Sequence, residues 1–89
     1  MVTLDEVKDG MEKLHDWALE GDSIVKDNDF PDFKSALEFV NKVGEIAEKH
    51  QHHPSIIIDY NQVHLSLTTH AVHGLTAKDF EVAQEIDKL

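Results

Sequence analysis

The chain has 89 residues, room for one core and not two, since a typical domain runs to about 100–150 residues. Eight Lys and Arg against 18 Asp and Glu leave a formal charge of −10, which disfavours a phosphate-tracking nucleic-acid binder or an electrostatic membrane anchor, because both need a cationic face. The absence of cysteine excludes disulfides, thiolate metal sites and cysteine nucleophiles, and the 40% hydrophobic content argues against disorder.

The first periodic segment starts at Thr3, where Thr3-Leu4-Asp5-Glu6 has capping-box spacing and Leu4, Val7, Met11 and Leu14 recur at helical intervals, so a helix to about His15 is expected. Trp17 to Glu20 and Ser23 to Lys26 flank Gly21-Asp22, a tight-turn pair, and read as a hairpin. Trp17 and Phe30 are expected in the core. Phe30-Pro31-Asp32 opens a second helix to about Lys49, with Phe33, Ala36, Leu37, Val40, Val43 and Ala47 as its buried stripe. Gly44 within it costs ~1 kcal/mol against alanine unless close packing on the sheet requires it.

Pro54 ends helical geometry. Strands follow at Ile56 to Asp59 and Val63 to Thr69 around Tyr60-Asn61-Gln62, where Tyr60 is expected to pack on the turn. Val63, Leu65 and Leu67 alternate onto a buried face, and His64, Ser66 and Thr68 onto a wet one. Thr76-Ala77-Lys78-Asp79 starts a third helix carrying Phe80, Ala83 and Ile86. The order αββαββα over residues 1–89 specifies a single α+β domain, a two-layer sandwich of a four-stranded antiparallel sheet with three helices on one face. The longest aliphatic run, Ile56-Ile57-Ile58, is far short of the roughly 20 residues of a spanning helix, so a soluble, cytoplasmic protein with no membrane partner is expected.

Histidine is the unusual residue: seven are present, six of them between His50 and His73. A turn near Tyr60-Asn61 pairs residues whose numbers sum to about 121, which sets position 52 opposite 69 and 51 opposite 70. Adjacent strands lie about 5 Å apart, so His52-His53 and His70 should meet at one end of the hairpin. Imidazole has an ordinary pKa near 6.5, so neighbouring rings can give and take protons at neutral pH. Solvated surface histidines are the plain alternative. A metal carrier is another, with His50, His52, His53, His70 and His73 as conceivable ligands, although no His-Glu-x-x-His spacing is present and the expectation is no metal.

Glu48-x3-His52-His53-Pro54, Tyr60 six residues on, Thr69-His70 and Asp79 together resemble the motif of the pterin-4a-carbinolamine dehydratase, or dimerization-cofactor, family. The resemblance extends from Trp17 and Gly21-Asp22 through the second helix to Gly74-Leu75-Thr76. It implies a hydro-lyase that converts 4a-hydroxytetrahydrobiopterin to quinonoid dihydropterin and water, in tetrahydrobiopterin recycling or related pterin metabolism, with no metal or bound cofactor. By motif position, His52 and His70 become the acid-base pair, His53 chiefly holds the pterin, and Glu48 and Asp79 are supporting carboxylates. Gln51, Thr68, Thr69 and Ala71 bracket the histidines and are expected in the pocket wall. Asp79 also sits where a carboxylate caps a helix. Many members carry an aromatic residue soon after His-His-Pro; this chain has Ser55-Ile56-Ile57, so one wall of the site or a nearby contact is expected to differ.

The resemblance further implies a homodimer or homotetramer. It also raises a second function, since animal relatives bind and stabilise dimers of a homeodomain transcription factor. Against that role, the second helix is expected to expose polar residues such as Lys34, Glu38, Asn41, Lys42 and Glu45.

Overall fold

Thr3 begins the first helix as its spacing requires: the Thr3 hydroxyl accepts the Glu6 amide at 3.2 Å, and the Glu6 carboxylate accepts the Thr3 amide at 3.0 Å. In the computed structural model, which describes residues 2–89, helix α1 spans Leu4–Glu12. It stops short of His15 because the His15 amide is taken by the Asp87 carboxylate at 2.9 Å rather than by a carbonyl one turn back, and Asp16 turns the chain at φ 61°. Gly10 is where α1 closes on the third helix, since a Cβ there would lie 2.6 Å from the Phe80 ring.

Strand β1 (Ala18–Glu20) and strand β2 (Ser23–Asp29) are joined by Gly21-Asp22, with Gly21 at φ 62°. β2 runs three residues beyond the expected Lys26, because Asp27, Asn28 and Asp29 pair with His64, Val63 and Gln62 of strand β4 (Gln62–Leu67). Strand β3 (Ser55–Asp59) pairs with β4 through Ser55↔Ser66 to Asp59↔Gln62, the register whose numbers sum to 121. The sheet is antiparallel in the order β1-β2-β4-β3. Val63, Leu65 and Leu67 are fully buried, so β4 supplies the centre of the core.

Helix α2 (Phe33–His50) starts with the Asp32 side chain accepting the Ser35 amide at 2.8 Å, which holds the Asp32 carboxyl below its ordinary value. Ala36, Val43 and Ala47 are buried as the stripe requires, but Phe33 and Leu37 are 46% and 38% exposed, a correction to the expected face. Gly44 also departs from expectation: a Cβ there would meet nothing within 4 Å, so no close packing calls for it. Gln51 closes α2 at φ 49°, with the His52 amide reaching back to the Ala47 carbonyl at 3.0 Å. A short 3-10 turn (His70–Val72) and helix α3 (Ala77–Ile86) complete the chain.

The three helices cover one face of the sheet, and the other face is bare. Trp17 is buried, and Phe30 packs its ring 4.9 Å from that of Phe39. Tyr60, expected to pack on its turn, is instead 65% exposed with φ 51°. The carboxylate of Asp87, just past α3, ties the layers by accepting from Lys26 Nζ at 2.8 Å and Trp17 Nε1 at 2.8 Å as well as from His15. Among the described residues no helix is long and apolar enough to cross a membrane.

Candidate active site

The bare face of the sheet carries the side chains that alternate away from the core: Ser66 and Thr68 near the end of β4, Ser55 opposite Ser66, and Ser23 at the start of β2. These hydroxyls floor a cleft of about 310 Å³. His53 enters it from the segment between α2 and β3, and His70 and His73 from the loop after β4. Asp22, on the β1–β2 turn, stands at its edge and is held there by Thr68 Oγ1, which donates to the Asp22 carbonyl at 2.7 Å. The volume lies near the lower limit for pockets that enclose a small organic ligand, about 300 Å³.

Of the expected substrate-contacting residues, His53, His70 and Thr68 line this cleft, while His52, Gln51, Thr69 and Ala71 do not. His52 and His53 follow one another in the connection between α2 and β3, and their side chains take different directions, His53 into the cleft and His52 to Asp79. His52 turns inward: its side chain is only 12% exposed and Nε2 donates to Asp79 Oδ1 at 2.5 Å. Asp79 is fully buried, and its other oxygen accepts the Thr76 amide at 2.9 Å and the Thr69 hydroxyl at 2.8 Å. Since that proton of Thr69 is committed, the 2.9 Å contact between the two threonine hydroxyls is donated by Thr76. Asp79 thus caps α3 and holds both His52 and the strand end that leads into His70.

Glu48, on the last turn of α2, accepts from Nε2 of His53. Both side chains are largely exposed. With Nε2 turned to Glu48, Nδ1 of His53 is the ring nitrogen that has no partner among the described residues. Gln51 lies at the helix end, with its amide donating to the Glu48 carbonyl at 2.7 Å. Ala71 is exposed on the 3-10 turn.

The remaining histidines have structural surroundings. His50 pairs with Glu85, whose carboxyl is held below its ordinary value first by the Lys49 bond and then by His50. His64 Nδ1 donates to Asp27 across the bare face at 2.7 Å, and His15 contributes only its backbone. Among the described residues no group of three or more His, Asp or Glu is placed to hold a metal ion.

Asp22, Ser23, Ser55, Ser66 and His73 also line the cleft, although none of them was expected among the substrate-contacting residues. The Ser55–Ser66 pair was available from the hairpin register and the alternation of β4. Asp22 and Ser23 were not, because they arrive only through the pairing of Ile24 with Leu67.

The family model described as pterin 4 alpha carbinolamine dehydratase matches residues 1–89. A relative from Sulfurisphaera tokodaii is 43% identical over 88 residues, covering 99% of this chain and 95% of the relative. One from Cyanothece sp. is 46% identical over 84 residues, covering 94% and 87%. Both are provisionally named as pterin-4-alpha-carbinolamine dehydratases. The crystal structure of a transcriptional coactivator/pterin dehydratase from Brucella melitensis superposes with a TM-score of 0.92 at 30% identity, over 98% of this chain and 95% of that one. A pterin dehydratase-like protein identified as a RuBisCO assembly factor in the alpha-carboxysome shares the fold, with a TM-score of 0.69 at 16% identity over 85% of this chain and 90% of that one. With its whole length matched and the three-helix, four-strand antiparallel architecture shared, the chain belongs to the pterin 4 alpha carbinolamine dehydratase family.

Proposed function

We propose that the protein dehydrates a 4a-hydroxytetrahydropterin to the quinonoid dihydropterin by histidine general acid-base catalysis, and that the cleft holding His53 and His70 is where this happens. The observation that carries the reading is the convergence of these two imidazoles, from segments either side of the β3–β4 hairpin, on one hydroxyl-floored cleft. In the reaction the C4a–O bond breaks with its electron pair on oxygen, an acid protonates the departing hydroxide to water, a base removes the N5 proton, and the N5 lone pair forms the C4a=N5 bond. One imidazolium and one neutral imidazole suffice, and they regain their starting states by exchange with solvent. No metal or bound cofactor enters the scheme.

Motif position makes His52 and His70 the acid-base pair, but the geometry favours His53 beside His70, because His52 is engaged by Asp79 outside the cleft. His52 and Asp79 then act as the support on which His53 and the His70 loop are mounted, and Glu48 orients His53. The test is the decay of a synthetic 4a-hydroxytetrahydropterin, followed by absorbance. Positioned proton transfer contributes about 10²- to 10⁴-fold, so His53→Ala and His70→Ala should each lower kcat by about that factor, and His52→Ala by less. Wild-type rates in both cleft variants would defeat the scheme, and a larger loss in His52→Ala than in His53→Ala would restore the roles implied by motif position.

We also infer a cytoplasmic homodimer or homotetramer. The exposed Phe33 and Leu37 on α2 and the 56% exposed Ile57 on the bare sheet face support self-association. The same two α2 residues favour the second reading, an interaction module, more than an all-polar helix would. A folded protein that leaves the carbinolamine untouched would choose that reading over the enzyme.

A further inference from the structure

His73 lines the cleft yet lies outside the histidine motif. Its backbone is left-handed, φ 52° and ψ 44°, a conformation that costs a residue with a Cβ, and the next residue, Gly74, is not used to absorb it. Four of the other histidines have carboxylate partners, whereas the rings of His70 and His73 make no hydrogen bond to any described residue. His73 and Asp22 are also the residues that the cleft shares with a second hollow of about 210 Å³, walled by Leu4, Leu19 and Leu75. Leu4 is 88% and Leu19 52% exposed, so this hollow offers uncovered apolar surface immediately beyond a polar wall.

A substituent on a bicyclic ring seated among the imidazoles has to leave the cleft at its edge. At the Asp22–His73 wall it meets a carboxylate, which accepts from hydroxyls, and an imidazole, which can donate or accept. We propose that His73, with Asp22, is a specificity-determining residue that reads a hydroxylated side chain on the pterin, the apolar end of that chain entering the Leu4–Leu19–Leu75 hollow. The inference rests on the dehydratase reading above and adds to it the residues that read the side chain of the pterin.

The test compares two synthetic 4a-hydroxytetrahydropterins, one with a 6-(1,2-dihydroxypropyl) and one with a 6-methyl substituent, in wild type, His73→Gly and His73→Asn. Glycine suits the left-handed backbone, so the variant should fold at least as stably as wild type. The ratio of kcat/KM for the diol over the methyl substrate should fall about three- to ten-fold in His73→Gly, mainly through KM, as expected for one hydrogen bond. His73→Asn, which tolerates the same backbone and keeps a hydrogen-bonding group, should recover part of the ratio. A ratio in His73→Gly within two-fold of wild type, or an equal loss of kcat on both substrates, would overturn the inference while leaving the dehydratase reading intact. A wild type inert toward both compounds would overturn the two together.

Discussion

The hydrogen bonds at Asp87 make its removal the most informative stability experiment. Its carboxylate accepts from Lys26 Nζ, Trp17 Nε1 and the His15 amide, and the Lys26 and Asp87 side chains are only 14% and 5% exposed. Asp87→Ala leaves the Lys26 ammonium nearly buried without a counter-charge and the indole N–H without an acceptor. Breaking a buried pair from one side costs about 3–5 kcal/mol, and the residual access of Lys26 to water places this case near 3. The orphaned indole adds about 1 kcal/mol, the low end for a donor at the margin of the core. For a domain of this size, a loss of about 3–4 kcal/mol lowers Tm by about 12–30 °C.

Urea melts read by circular dichroism and by Trp17, the sole tryptophan, would measure the loss, the indole reporting directly on the network. Adding Lys26→Met to Asp87→Ala removes the stranded cation and should restore about 1 kcal/mol or more, since a buried pair replaced from both sides is often neutral. A loss below about 1 kcal/mol in Asp87→Ala, or further destabilisation on adding Lys26→Met, would refute the argument. The pH dependence has a definite sign. Burial pushes the Asp87 carboxyl up from its ordinary 3.8, but the bonds from Lys26, the His15 amide and Trp17 outweigh it and hold the group lower in the folded state. The stability it confers is therefore complete above that ordinary value and drains away as pH falls through the folded one, so the gap between wild type and Asp87→Ala should narrow in strong acid.

Two glycines should respond oppositely to alanine in the same melts. Gly10→Ala drives a methyl to 2.6 Å from the Phe80 ring and should destabilise by about 1–3 kcal/mol, whereas Gly44→Ala meets open space and should stabilise by up to about 1 kcal/mol. Light scattering should give a mass at least twice that of the chain, and replacing Phe33 and Leu37 together by serine should lower it.

The hairpin that builds the site was legible in advance because two independent constraints agree. Tyr60-Asn61 fixes the reversal, and the alternation of Val63, Leu65 and Leu67 forbids a slip of one residue, which would expose all three. The extension of β2 through Asp27-Asn28-Asp29 was not legible, since those residues have low strand propensity and owe their conformation to the β4 backbone beside them. The buried stripe of α2 was overdrawn for a related reason: periodicity marks an apolar face, but its covered centre runs through Ala36, Val43 and Ala47, and Phe33 and Leu37 lie on the flank of that stripe. At the site, register alone brought His53 and His70 together. It did not decide which of two adjacent histidines would face the cleft, and His73 enters it through a left-handed turn with no periodic signature.

The buried Asp79 shows why the fold and the site in this chain are difficult to separate. One carboxylate completes the N-terminus of α3, accepts from Thr69 where β4 gives way to the His70 loop, and holds His52 where α2 gives way to β3. A surface carboxylate can be lost at little cost, but this one is fully buried with three donors aimed at it, so its loss strands polar groups in three segments at once. The two histidine-bearing segments are separated in sequence by the whole β3–β4 hairpin, and the register of that hairpin sets only their approximate separation. The common anchor at Asp79 fixes how each leaves its element, and hence that His53 and His70 arrive on the same side of the sheet. The geometry of the proposed acid-base pair is thereby held by the same bonds that begin the last helix, and a substitution at Asp79 should depress stability and turnover together, whereas one at His70 should touch turnover alone.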